Sequence, residues 1–170
     1  KNYEGMDYFI QQLRELKSPS VNFNLNVLSL IFLYELFPKL DKGDFTGSLD
    51  LLNNYMDILI SKINLLGPTR QTELCLYITL IYFGNKEYKK TQKFINMIML
   101  KGKNYYDLPL YRTVRLVKLM IFYELKEFDL INHETRSIRR EMKDIGKGYQ
   151  IEKAILSFLN KENLPVAIKK

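Results

Sequence analysis

The chain has 170 residues, 46% of them hydrophobic and 26% charged, with only 8 Gly and 5 Pro; this is enough for one domain or part of a repeat array, and it excludes a disordered or linker-dominated chain. The net charge of +7 is uneven, because residues 1–85 carry 7 basic and 9 acidic side chains whereas residues 86–170 carry 19 and 10. That asymmetry points to an acidic partner for the second half, weighed against a merely solvated basic surface.

Met6, Phe9, Leu13 and Leu16 recur at three- and four-residue spacing, which predicts one stripe of a helix from about Tyr3 to Lys17. The chain opens on Lys1, inside this helical pattern, so sequence upstream of it is expected. Ser18-Pro19-Ser20 ends the first helix. The second runs from about Val21 to Phe37. Val27, Leu28, Leu30, Ile31, Leu33, Tyr34 and Phe37 cover most of its circumference, so burial on two sides is expected. Pro38 should end or kink it. Its apolar run, Val27 to Phe37, is too short for a membrane span, and no signal peptide is read from the chain. Phe45 opens a partner helix to about Leu66, with Leu52, Tyr55, Met56, Leu59, Ile63 and Leu66 on one stripe. Gly67-Pro68 closes it, and Thr69 is the expected N-cap of the next helix.

That helix is apolar nearly all round from Leu74 to Phe83, which predicts deep burial, Leu80 included. It contains the single cysteine, Cys75, so no intramolecular disulfide forms, and the thiol fits a reducing, cytoplasmic setting. A tight turn at Gly84-Asn85-Lys86-Glu87 leads to a helix with Phe94, Ile95, Ile98 and Met99 inside and Lys89, Lys90 and Lys93 outside. A polar loop, Gly102 to Asp107, precedes a helix from Leu108 to Leu125 that Asp107 should cap. Leu110, Val114, Val117, Ile121 and Leu125 lie on one side of it, and Leu116, Met120 and Tyr123 on a second, so Ile121 too should be buried. Lys126-Glu127 turns the chain into a helix from Phe128 to about Met142. Gly146 and Gly148 break it. A last helix, Tyr149 to Lys161, with Ile151, Ile155, Phe158 and Leu159 on one face, should cap the final hairpin.

Eight helices of alternating character make an all-α chain: a helix buried on two sides is followed, across a short turn, by one buried on a single side. The expected hairpins cover about 21–66, 69–101 and 108–142, with an end cap at 149–161, in one helical-repeat domain over 1–170 or a fragment of a longer array. Phe45, Tyr88 and Phe128 each sit just past a turn, 43 and 40 residues apart. A period near 40 marks stacked helical hairpins, since one hairpin alone cannot bury both faces of its inner helix.

In these residues the chain resembles the tetratricopeptide-repeat-like superfamily. Gly43-Asp44-Phe45 stands where that family has its Gly-x-aromatic turn. Small residues follow three positions on, at Ser48 and Thr91, and large apolar ones four further on, at Leu52 and Ile95; the third unit matches only at Phe128, with Ile131 and Thr135 departing. The resemblance implies stacked antiparallel hairpins in a right-handed α-solenoid and a binding role by analogy. In such stacks the inner helices line a concave groove, which would turn Arg112, Arg115 and Lys118 toward a ligand.

Catalytic, metal and cofactor signals are lacking in the sequence. Asp129 and His133 share a helical face with no third ligand beside them. Cys75 has no glycine-framed nucleophile motif. No Gly-rich phosphate loop, paired-histidine metalloprotease motif or zinc spacing occurs. The expectation is therefore a non-enzyme with no catalytic residue, cofactor or metal. Arg136, Arg139, Arg140 and Lys143 are spaced i, i+3, i+4, i+7 and share one helical face, where guanidinium groups suit carboxylates or phosphates. Lys101, Lys103, Tyr105 and Tyr106 put basic and aromatic residues in one loop, a weaker nucleic-acid signal. The sequence is read as a protein- or peptide-binding scaffold with a partner of acidic character. A nucleic-acid-binding or regulatory module using the basic half is the second reading, and a purely structural segment of a larger protein the third.

Overall fold

The structure, a computed structural model, describes residues 3–100, 109–145 and 150–161. The described residues form eight α-helices and no strand, which is the all-α class expected. The chain divides into two compact units, Lys1–Leu108 and Pro109–Lys170. The first holds α1 (Met6–Glu15), α2 (Val21–Asp41), α3 (Phe45–Ser61), a 3₁₀ turn (Ile63–Leu65), α4 (Pro68–Gly84) and α5 (Tyr88–Met99). The second holds α6 (Pro109–Glu124), α7 (Phe128–Ile145) and α8 (Gln150–Lys161).

In the first unit, α2 packs on α1, α3 and α4, and α4 packs on α3 and α5. The pattern of burial follows the apolar periodicity. Phe32, Leu33 and Leu36 of α2, Leu52 and Leu59 of α3, and Leu74, Ile78 and Ile81 of α4 are all shut off from solvent. Leu80 is only half-buried, contrary to expectation, because its neighbours Ile78 and Ile81 take the inward positions of α4. Ile121 in the second unit is fully buried, as expected. By length and composition, α2 is the one helix among the described residues that meets the size and apolarity of a membrane span. Here its apolar sides lie against other helices.

Three helix boundaries depart from the sequence reading. α2 continues through Pro38 to Asp41; the missing N–H removes one bond near the end of the helix, and the fully buried Leu36 keeps this stretch packed. α3 stops at Ser61, and the 3₁₀ turn then tucks Ile63 and Leu66 inward. α4 begins at Pro68 with Gly67 as its N-cap, in place of Thr69; proline at the first helical position is preset for helix and has no N–H to leave unpaired. Capping by side chains starts α2 and α3: Ser20 Oγ accepts from the Phe23 N–H at 3.3 Å, and Asp44 Oδ1 accepts from the Gly47 N–H at 2.8 Å.

The hairpins α2–α3, α4–α5 and α6–α7 share one turn geometry. Gly43 (φ 71°), Lys86 (φ 61°) and Lys126 (φ 58°) are left-handed, each two residues before the aromatic that opens the next helix. At each turn the left-handed residue's N–H bonds back three residues, and the following N–H bonds back five, as in Asp44 to Lys39 O, Glu87 to Tyr82 O and Glu127 to Phe122 O, all at 2.9 Å. This is the Schellman closure of a helix end. The two lysines adopt a conformation that normally favours glycine. Gly84, read as the turn residue, is instead the last residue of α4. A Cβ there would lie 2.1 Å from the Phe45 ring, so glycine is needed for that close approach of α3 and α4. Asn85 Nδ2 reinforces it by donating to Phe45 O at 2.8 Å.

In the second unit, Leu116 and Leu119 of α6, Ile131 and Ile138 of α7, and Leu156 and Leu159 of α8 form one apolar cluster. α8 thus covers the α6–α7 hairpin, with Leu159 buried and Ile155 packed on the cluster as expected, but with the inward face rotated away from Ile151 and Phe158. Glu152, Leu156 and Leu159 point inward, while Ile151 and Phe158 stay exposed. The expected cap at Asp107, the loop residues Lys101, Lys103, Tyr105 and Tyr106, and the breaks at Gly146 and Gly148 lie outside the described residues.

Candidate functional site

Two surfaces stand out, one in each unit. In the first, α1 lies on α2 through a small contact in which Ile10 packs on Val27 and Ile31. A polar cluster on its flank holds it there. Arg14 pairs with Glu35, and the Tyr55 hydroxyl of α3 donates to the other Glu35 oxygen at 2.8 Å. Burial, and then the hydrogen bond to Glu35, pushes the Tyr55 phenol up to about 12. Beside this attachment runs an open apolar groove of about 560 Å³, lined by Met6, Phe9, Gln12, Leu13 and Leu16 of α1 and Tyr34 and Phe37 of α2. Phe9 is 61% and Leu16 49% exposed. The sequence marked Met6, Phe9, Leu13 and Leu16 as a helical stripe; it did not reveal that the stripe is half uncovered. The groove is large enough for several apolar side chains of a ligand.

In the second unit the six arginines and lysines singled out by sequence whose side chains are described separate into two groups. Arg112, Arg115 and Lys118 of α6 are all engaged inside the unit. Arg115, buried, donates through Nε to Glu134 Oε1 at 2.6 Å and also pairs with Glu141, both on α7. Lys118 Nζ lies 3.4 Å from Glu134 Oε2. Arg112 holds Glu152 of α8 in a two-pronged contact, its Nε donating to Oε1 at 2.6 Å. Three cations meet three carboxylates, so this network is formally neutral. A cavity of about 10 Å³ lies among Arg112, Arg115, Glu141 and Glu152, room for one water at most. The signal for these partners was present in the spacing of Glu134 and Glu141, seven residues apart on the face opposite the arginine stripe. Glu152, on another helix, left none.

Arg136, Arg139 and Arg140 of α7 form the second group. Arg136 and Arg140 are exposed and Arg139 half-buried. No ion pair among the described residues involves any of them. They lie on the same outward side of α7, as the spacing predicted; the Lys143 side chain lies outside the described residues. His133 is exposed, and among the described residues no three His, Cys, Asp or Glu side chains converge in a way that would hold a metal ion.

In comparisons with known proteins, no family model matches the chain, and neither a curated protein nor a solved structure matches it.

Proposed function

We propose that the chain is a non-enzymatic helical-repeat scaffold of the tetratricopeptide-like kind, a right-handed stack of hairpins that binds a protein or peptide. The threefold recurrence of one turn geometry supports the repeat reading, and the observation that carries the binding reading is the open apolar groove between α1 and α2. Repeat stacks expose extended surfaces that suit peptide ligands, and a groove of this lining receives the apolar face of an amphipathic helix. The buried thiol of Cys75 supports a reducing, cytoplasmic setting. The engagement of Arg112, Arg115 and Lys118 with internal carboxylates favours this reading over a nucleic-acid module, since half of the basic set is occupied.

A display selection of uncharged amphipathic peptides against the full chain, followed by fluorescence anisotropy, tests it. Selected peptides should hold their affinity from low to moderate salt. They should bind the Phe9→Glu and Leu16→Glu variants at least ~10-fold more weakly, because one apolar anchor is worth about 1.5–3 kcal/mol. Peptides indifferent to both substitutions, or affinity that collapses with salt, would overturn the proposal.

A further inference from the structure

We propose that the outer face of α7 is a second docking surface, which takes an acidic segment of a partner protein with its carboxylates on Arg136, Arg139 and Arg140. The proposal rests on the scaffold reading and names the chemistry of a partner at a site other than the groove.

α7 sorts its charges between two faces. Its two mid-helix acids, Glu134 and Glu141, face inward, where Arg115 pairs with both and Lys118 with Glu134. Its arginines face outward, and no carboxylate among the described residues neutralises them. The two mid-helix acids that could offset the stripe from the same helix are therefore committed elsewhere; the side chain of Asp144, four residues after Arg140, lies outside the described residues. Like charges at this spacing repel one another along the helix. The helix dipole offsets this only within the last turn, and Arg136 lies nine residues before Ile145. The cationic face is thus maintained well beyond the reach of that compensation.

Geometry selects the ligand class. Residues three and four apart present side chains about 5–6 Å from one another along a helix, which matches carboxylates at the same spacing on an acidic helical segment. Guanidinium forks donate two parallel N–H bonds to the oxygens of one carboxylate. Toward the N-terminus the same row continues through His133 to Asp129, both exposed. The row is therefore basic at one end and acidic at the other, which a uniformly negative phosphate backbone does not complement. No exposed aromatic side chain of α7 lies on this face to stack a base, as single-strand binding requires. An acidic protein segment fits both ends if it carries carboxylates over the arginines and a cation opposite Asp129.

The test uses the full chain at low salt and three labelled probes. One is a short helical peptide with Glu at i, i+3, i+4 and i+7 and a Lys one turn beyond; the second is its Gln counterpart; the third is a single-stranded oligonucleotide of equal charge. The acidic peptide should bind at least ~10-fold more tightly than either control. The Arg136→Glu/Arg139→Glu/Arg140→Glu variant should lose at least ~10-fold of that affinity, because three surface ion pairs become repulsions. If circular dichroism shows the triple reversal to be less helical, the corresponding Arg→Gln triple replaces it. Absence of binding, equal binding of the Gln peptide, equal or tighter binding of the oligonucleotide, or unchanged affinity in the variant would each overturn the proposal. The groove assay uses uncharged peptides, so failure of this surface and failure of the scaffold reading are separate results.

Discussion

Tyr55 illustrates how a single side chain couples the attachment of α1 to pH. Its hydroxyl donates to the same Glu35 carboxylate that holds Arg14, so it belongs to the polar clip beside the groove. Its folded-state phenol is raised from 10.0 to about 12, by burial first and then by Glu35. A raised phenol means that the neutral form is favoured in the fold. The stabilisation is therefore complete below about pH 10 and is lost as pH rises from there through about 12. Tyr55→Phe should cost about 1 kcal/mol at neutral pH, the worth of one hydrogen bond. It should also flatten the part of the stability decline between pH 10 and 12 that belongs to this residue. Urea unfolding of parent and variant at pH 8 and at pH 11, compared as a difference, checks this; an equal difference at both pH values would contradict it. Gly84 offers a second test at this scale. A methyl group there meets the Phe45 ring, so Gly84→Ala should destabilise by about 1–3 kcal/mol through overpacking, although alanine is the better helix former by about 1 kcal/mol. Thermal unfolding at equal or higher temperature would remove the close-approach account of that glycine.

At the scale of elements, the periodicity made eight helices legible but placed only half of the inward face of α8. Of the four apolar residues read as its stripe, Ile155 and Leu159 pack inward, but Ile151 and Phe158 stay exposed, and a nearly buried acid, Glu152, turns inward beside Leu156. The reason is its pairing with Arg112 across 40 residues, a contact no local pattern encodes. The two partners are unequally exposed: the Arg112 side chain is 23% exposed and that of Glu152 only 3%. Removing the arginine takes from a nearly buried carboxylate its two-pronged cationic partner, whereas removing the acid leaves a cation that can turn to water. Arg112→Ala should therefore cost about 3–5 kcal/mol, and Arg112→Met/Glu152→Leu much less, close to neutral. A double-mutant cycle by denaturant unfolding measures both. An arginine deletion no costlier than the double substitution would show that the pair does not hold α8.

At the scale of the whole molecule, the recurrence of one hairpin turn was visible in sequence through Phe45, Tyr88 and Phe128, because an aromatic after a tight turn is a local feature. The left-handed residues that set the turn were less visible: only Gly43 advertises itself, while Lys86 and Lys126 take the same conformation without glycine's signature. The arginine stripe of α7 was legible because spacing fixes a helical face. The engagement of Arg112 was not, since Glu152 lies 40 residues away on another helix; for Arg115 and Lys118 the spacing of Glu134 and Glu141 marked inward acids but not the cations they meet, 16 to 26 residues away. The α1–α2 groove was hidden for the opposite reason. A half-covered apolar stripe and a fully covered one read alike until the neighbouring helices are placed.

The scaffold reading stands most directly on the groove, and methyl-resolved NMR of the full chain titrated with a selected apolar peptide examines it residue by residue. Saturable shifts at the Met6, Leu13 and Leu16 methyl groups, with those of Leu119, Ile131 and Leu159 in the second unit unmoved, are the predicted result. Unmoved methyl groups at Met6, Leu13 and Leu16 while the peptide binds elsewhere would contradict it.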